Sequence, residues 1–280
     1  MSFTSSLSIV SNRSLIKDEL NNTCCILLGK NFLSYCLTDA EGTTVYSIKH
    51  FHFQNNVIGK YDFDDILNDD VIKEANKIKI AIDTTKFTVV PNAYFSEDHL
   101  VTYFTNLHEI LPEEILLSQQ ISSSMTNVYA LKKATVDFLS SRLSNVKFYD
   151  ASACLLQSYP SQILHEHLFT FFIFLKDDTC TLSLYKKEEL QLNQPISQTD
   201  NIDIVYHIAN AIKQFNIDVE KMSIQVHGET NQTEKLVGQL QQHYHHVRSA
   251  SRIKSLNYPD NLFSYPSHYF FTLFSVVTCV

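Results

Sequence analysis

Tryptophan is absent from the 280 residues, and glycine occurs only five times. Loops that cradle phosphate bring backbone N–H groups close to the anion, and a Cβ obstructs that approach. Five glycines leave little room for such a loop. Neither G-x-x-x-x-G-K-[ST] nor G-x-S-x-G occurs, which removes the two most readable nucleotide and hydrolase signatures. No C-x-x-C pair exists among Cys24, Cys25, Cys36, Cys154, Cys180 and Cys279. Most of these cysteines sit among apolar residues and read as small hydrophobes of a reduced, cytoplasmic chain. Long apolar runs are missing too. Leu168 to Leu175 and Tyr269 to Val280 fall short of the ~20 residues a membrane span needs, so membrane insertion is not expected. Met1 to Val10 is Ser-rich and has no basic segment leading into an apolar run, so it is not a signal peptide. Basic charge is scarce: 22 Lys plus Arg stand against 30 Asp plus Glu, a net charge of -8. The densest basic stretch, Arg248 to Lys254, holds Arg248, Arg252 and Lys254. Such a chain repels phosphate backbones, and nucleic acid is not an expected partner.

What is present is the material of a folded α/β chain. Hydrophobic residues make up 44%, enough for a sizeable core. After a polar arm or edge element over residues 1 to 22, three strand-like runs follow: Cys24 to Leu28, Phe32 to Leu37 and Thr43 to Phe53. Asp39-Ala-Glu-Gly42 marks a hairpin turn between the last two. Asp62, Asp64 and Asp65 open a helix expected to reach Asn76, followed by a strand with Ile78, Ile80 and Ile82 alternating. Phe87 to Val90 reads as a strand stopped by Pro91. Ser96 is expected to cap a helix to about His108, with Leu100, Val101, Phe104 and Leu107 on one face. Strands near Ile115 to Ile121 and Asn127 to Leu131 come next. A helix from Ala134 to Leu143, a strand over Val146 to Tyr149, and a helix capped by Asp150 complete the first half.

From Leu168 the pattern restarts. Leu168 to Leu175, Thr179 to Tyr185 and Glu189 to Gln194 read as strands. A helix capped by Asp200 is expected to bury Ile202, Val205, Ala209, Ile212 and Phe215. A strand over Met222 to Val226, a helix from Gln232 to Tyr244, a short strand near Val247 and a final helix from Ser267 to Thr278 follow. Each half thus reads βββαβαβα, the first interrupted by an insertion over residues 86 to 132. Ile26, Leu33, Tyr35 and Leu37 match Ile173, Cys180, Leu182 and Leu184 at one constant offset. Ile78, Ile80 and Ile82 match Met222, Ile224 and Val226 at a nearly equal one. The expected organisation is an N-terminal lobe over 1–160 and a C-terminal lobe over 161–280, joined near Ser158 to His165.

Two such lobes, each of the RNase H-like type, resemble the architecture of the actin-like ATPase superfamily, whose active members bind ATP and Mg²⁺. That resemblance locates the positions to inspect. The first hairpin turn, where active members carry Asp-x-Gly, reads Leu28-Gly29-Lys30-Asn31, without a carboxylate. The second reads Lys176-Asp177-Asp178-Thr179, without a glycine. The adenosine turn, with paired glycines in active members, reads Gln225-Val226-His227-Gly228-Glu229 and keeps one. Phosphate cradling needs the glycine and Mg²⁺ needs the acid, so the pattern is degenerate and points away from catalysis. Gly29, Asp177, Asp178, Thr179, Gly228 and Glu229 are the candidate vestigial cleft residues. No catalytic residue is nominated and no cofactor is expected.

Other constellations reduce to structure. His243, His245 and His246, with His165 and His167 elsewhere, lack accompanying acids or cysteines at ligand spacing. Reading Asp62 as the first position of a calcium loop puts Leu67 and Lys73 where Gly and Glu belong. A hydrolase with an unrecognised Ser and His has no order to argue from.

Three strings narrow the resemblance: Phe87-Thr-Val-Val-Pro-Asn-Ala-Tyr-Phe95, Asn127-Val-Tyr-Ala-Leu131, and the Phe171 to Leu184 hairpin. They resemble the bacterial domain of unknown function 3822 family, over nearly the whole chain. The resemblance implies a degenerate actin-like fold and no activity. Relatives of this degenerate architecture include the cytoplasmic scaffold proteins of type IV pili and type II secretion, some of which hold a peptide from a membrane partner. The expected role is therefore a non-catalytic binding or scaffold protein with a protein or peptide partner. The competing expectation is a nucleotide-binding protein or kinase-like ATPase with atypical phosphate loops.

Overall fold

The computed structural model describes residues 3–10, 21–53, 65–176, 179–197, 200–228 and 232–279. The chain divides into two compact units. One comprises residues 1–157, 254–264 and 272–280; the other comprises 158–253 and 265–271. Against the division anticipated at 160/161, the second unit begins at 158, and two C-terminal stretches group with the first unit.

In the first unit, β1 (Phe3–Val10), β2 (Thr23–Leu28), β3 (Phe32–Thr38) and β4 (Val45–Phe53) lead to α1 (Asp70–Lys73) and β5 (Lys77–Ile82). The insertion follows with β6 (Phe87–Pro91), α2 (Leu100–Thr105), β7 (Glu114–Gln120) and β8 (Met125–Lys132). Then come α3 (Lys133–Arg142), β9 (Val146–Asp150) and α4 (Ala151–Ser158). The main sheet has the order β1-β4-β3-β2-β5-β9. All six residues of β2 are buried, as a strand flanked on both faces requires. It pairs antiparallel with β3 and parallel with β5. The N-terminal segment is the edge strand of this sheet, antiparallel to β4. The β3–β4 turn forms as its residues dictate. Asp39 Oδ1 accepts from the N–H groups of Thr43 and Thr44, and Gly42 adopts φ +65°, where a Cβ is unfavourable.

Ile26, Leu33, Tyr35, Ile78 and Ile80 form the core of this unit with Ile72 of α1 and Leu139 of α3. The opening residues of the helix anticipated from Asp62 lie outside the described residues; α1 covers its later part. The insertion is a separate three-stranded sheet of order β6-β8-β7. One face of β8, Val128 and Ala130, packs on Phe104 of α2; the other, Tyr129 and Leu131, packs on Phe87 with Val136 and Phe148. The helix anticipated from Ser96 to His108 is shorter. A 3₁₀ turn over Glu97–His99 precedes α2, and Ser96 makes no side-chain cap; its N–H donates to Tyr103 Oη at 3.1 Å. Phe104 is fully buried, but Val101 and Leu107 are 59% and 68% exposed, so only part of the anticipated stripe faces the core.

The second unit repeats the plan with β10 (Phe169–Leu175), β11 (Thr179–Lys186), β12 (Glu189–Ser197), α5 (Asn201–Gln214), β13 (Met222–His227), α6 (Gln232–Leu240) and β14 (Val247–Ser249). Its sheet order is β12-β11-β10-β13-β14. The hairpins agree in register: Ile26 faces Tyr35, and Ile173 faces Leu182, both 147 positions later. The parallel strands are offset differently from the sequence match. Ile26 faces Ile80 while Ile173 faces Val226, so Ile80 corresponds to Val226 rather than Ile224. A two-residue slip preserves the inward face, because side chains alternate with a period of two. In α5 the buried stripe is Ile204, Ile208 and Ala211, with Val205, Ile212 and Phe215 partly covered. Ile202 is 72% exposed and Ala209 is also exposed, contrary to the anticipated stripe. Helical spacing places Ile202 and Ala209 at one margin of the apolar half, so packing centred on Ile204, Ile208 and Ala211 leaves them in solvent.

The closing helix α7 (Phe271–Thr278) starts later than anticipated. From Thr272 onward it groups with the first unit. There Lys79 Nζ donates to the carbonyls of Val277 (3.1 Å) and Cys279, satisfying acceptors at the helix end. Phe274 packs against Tyr258, with ring centroids 4.8 Å apart. Among the described residues, no helix is long and apolar enough to cross a membrane.

Asp200 closes a capping box. Its Oδ1 accepts from Ile202 N at 2.7 Å and Asp203 N at 3.3 Å, and the Asp203 side chain accepts from Asp200 N. Asp200→Ala is expected to lower unfolding free energy by about 1 kcal/mol in urea titration, with an unchanged m-value.

Candidate functional site

The first candidate turn connects β2 to β3. Gly29 N–H donates to Phe32 O at 3.0 Å, closing the turn tightly. The Phe32 ring then lies over Gly29: a Cβ built there would sit 2.2 Å from Phe32 Cε1. Phe32 stacks in turn on His50, with centroids 5.8 Å apart. The Phe32 ring fills the space beside the Gly29 Cα, the Gly29 N–H is already bonded to Phe32 O, and residues 28–31 bring no acid.

The other candidates lie at one end of the second unit's sheet. Lys176 N–H donates to Thr179 O at 2.9 Å, closing the β10–β11 hairpin. Asp177 and Asp178 lie outside the described residues, as does Glu229. Gly228 follows β13 with φ +157°, and a Cβ there would meet Leu175 O at 2.2 Å. Its glycine is thus explained by the close approach of backbone at the ends of the parallel neighbours β10 and β13. The structure brings Gly228 and the base of the Thr179 hairpin together at the same sheet end. Gly29 belongs to the other unit. The β2–β3 turn has no acid and its glycine lies against Phe32, while the acids of the β10–β11 hairpin lie outside the described residues, so no chemical step is derived through Mg·ATP.

Sequence reasoning missed two buried polar assemblies. In the second unit, Ser223, Gln225 and His227 point to the face of β13 opposite Met222, Ile224 and Val226, and all are buried. Tyr159 covers that face, stacked on Phe172 at 4.1 Å, and its Oη is 2.7 Å from His227 Nε2. Gln225 Nε2 donates to Gln162 O at 2.8 Å, and Arg248 Nη2 reaches the same carbonyl at 3.4 Å. His227 Nδ1, His268 Nδ1 and Thr233 Oγ1 are buried without a hydrogen-bond partner among the described residues. In the first unit, Asp150 caps α4. Its Oδ2 accepts from Ala153 N (3.1 Å) and Asn127 Nδ2 (3.0 Å), while its N–H donates to Gln119 Oε1 at 3.0 Å. The alternation of β13 was the available signal for the first assembly. Gln119 and Asn127 carried none, because their positions depend on the insertion's sheet packing beside β9.

Burial sets the electrostatics. It pushes His227 well below the usual histidine range, with His268 adding like-charge repulsion. Burial also lowers His268, against the pull of Glu234. Burial, then His246 and Arg248, lowers His167 despite neighbouring Glu166. The His167 and His246 rings lie 4.6 Å apart. Among the described residues, no three His, Cys, Asp or Glu side chains gather to hold a metal ion.

The two βββαβ-type units define an actin-like ATPase fold, and solved structures agree. A Bacteroides thetaiotaomicron VPI-5482 protein with actin-like ATPase fold and unknown function superposes with a TM-score of 0.77 at 16% identity, covering 95% of this chain and 99% of that one. The structure described as the PilM–PilN type IV pilus biogenesis complex matches with a TM-score of 0.67 at 8% identity, covering 91% and 97%. No curated protein matches. The family model for the protein of unknown function DUF3822 matches residues 12–247, and the chain belongs to that family.

Two outcomes follow from this geometry. Gly228→Ala should markedly destabilise the second unit, because Leu175 O is backbone and has no rotamer by which to yield; urea melts of the variant should move to lower midpoint. Acid should weaken the same unit. An unfolded histidine titrates near 6.5, while His167, His227 and His268 titrate lower when folded, so the unfolded chain binds more protons. Their contribution is complete above about pH 6.5 and is lost as pH falls through the folded values. Thermal melts should decline below pH 6.5, and His167→Gln should flatten that decline.

Proposed function

We propose that this protein is a non-catalytic binding or scaffold protein that holds a protein or peptide partner in the cytoplasm. The observation carrying this reading is the Phe32 ring laid over Gly29, in a turn without a carboxylate. In-line phosphoryl transfer depends on backbone donors and a metal-holding acid at such turns. Fold alone does not choose a function. The PilM–PilN complex supports a partner-holding role in that a protein of the same fold is there assembled with another protein. Six free thiols suit a reducing compartment.

The insertion supplies the candidate docking surface. Tyr94, Val101 and Leu107 are 77%, 59% and 68% exposed, on or beside a helix whose other face is anchored by the fully buried Phe104. Exposed apolar side chains on a well-packed element suit strand-addition or groove-type recognition of a peptide.

Nucleotide binding is the second reading. It draws on the buried His227 Nδ1 at the end of β13 and Thr233 Oγ1 in the first turn of α6, neither of which has a hydrogen-bond partner among the described residues. Calorimetric titration of nucleotide-stripped protein with Mg·ATP and Mg·ADP separates the two. The scaffold reading expects no heat and an unchanged Tm at millimolar nucleotide; micromolar binding would overturn it. A partner recovered by capture and then purified should bind the chain directly. Leu107→Glu should weaken that binding by at least about tenfold with Tm unchanged.

A further inference from the structure

All six cysteines are buried, yet they differ. Burial pushes the thiols of Cys24, Cys36 and Cys154 well up and Cys180 to about 12. Cys279 moves the other way. The hydrogen bond from Cys154 is the largest cause; burial opposes it, and Lys79, Lys147 and the Gln119 amide add to the lowering. The geometry stands independently of titration. Gln119 Nε2 lies 3.0 Å from Cys279 Sγ and 3.7 Å from Cys154 Sγ, so one amide holds both sulfurs. Gln119 is itself fixed by Asp150 N–H at 3.0 Å. Lys79 Nζ grips the backbone carbonyl of Cys279 and places a cation beside the pair. All of these residues belong to the first unit.

We propose that Cys154 and Cys279 form a peroxide-responsive thiol–disulfide pair that ties the end of α7 to α4. Cys279 sulfur attacks one oxygen of hydrogen peroxide; the O–O bond breaks and hydroxide leaves, taking up a proton as water. Cys279 is now a sulfenic acid. Cys154 sulfur then attacks Cys279 sulfur, the S–O bond breaks, and hydroxyl departs with the Cys154 proton as a second water. Two thiols and one peroxide thus become one disulfide and two waters, with the sulfurs oxidised and peroxide reduced. Cys279 is the attacking group because amide and ammonium neighbours favour its thiolate. Both side chains are at most 1% exposed, which selects a small uncharged oxidant that enters through local opening. Cys25 and Cys36 face each other directly across β2 and β3 and serve as the internal rival.

The test treats the full reduced chain with a modest excess of hydrogen peroxide, quenches, alkylates in denaturant and maps the peptides. The expected result is a fall from six alkylatable thiols to four, with a dithiothreitol-reversible link between the Cys154 and Cys279 peptides. In folded Cys154→Ser, dimedone should label Cys279. A Cys25–Cys36 link, or six thiols still alkylated under conditions that oxidise the urea-unfolded chain, would overturn the proposal. The wild-type map alone decides between these outcomes, so a variant that failed to fold would not shield it.

Discussion

The parallel pairing of a fully buried strand with its crossover partner governs each unit. β2 and β10 are buried along their whole length, each beside a parallel partner, β5 and β13. Two parallel neighbours cannot be joined by a tight turn, so the chain must leave the sheet and return through a helix. That single requirement places α1 in the first unit and α5 in the second, against the isoleucine- and leucine-rich face. It also leaves the opposite face to be covered by something else.

What covers that opposite face distinguishes the two units and carries their chemistry. In the second unit it is aromatic and polar: Tyr159 stacks on Phe172 and meets His227, Gln225 bonds the Gln162 carbonyl, and Ser223 pairs with Thr170. In the first unit, the carbonyls at the end of α7 meet Lys79, and Gln119, Asp150 and Cys154 gather near Cys279. A buried polar group without a partner costs about 1–3 kcal/mol, so such faces are retained only where hydrogen bonds offset most of that loss. These are the regions where the fold departs from a simple apolar core, and such departures concentrate at sites of function.

The turns tell a complementary story. Nucleotide chemistry on an actin-like frame asks for open glycine backbone and a nearby acid. Here Gly29 is roofed by Phe32, and Gly228 is consumed by the approach of Leu175. The actin-like frame is kept, and these two glycines sit against packed neighbours. The insertion has its own sheet but is keyed to the main one: one face of β8 packs on α2, the other on Phe87 and on Phe148 of β9. Its exposed apolar residues lie on and beside α2, whose Phe104 is buried.

Local pattern sufficed for the repeated strand order, because alternation and unbroken apolar runs report burial directly. The hairpin at Asp39–Gly42, the Asp200 cap and the 147-residue match between β2–β3 and β10–β11 were legible for that reason. The want of an acid in residues 28–31 and of a glycine in residues 176–179 is visible without coordinates. Tertiary packing decided the rest. It centred burial on Ile204, Ile208 and Ala211 within the broad apolar half of α5, and slipped β13 by two residues while keeping its face. It also took the end of the chain into the first unit and set Cys279 beside Cys154, 125 positions away. A sequence records which residues are apolar and at what period; which distant surfaces they meet depends on the closing of the whole chain.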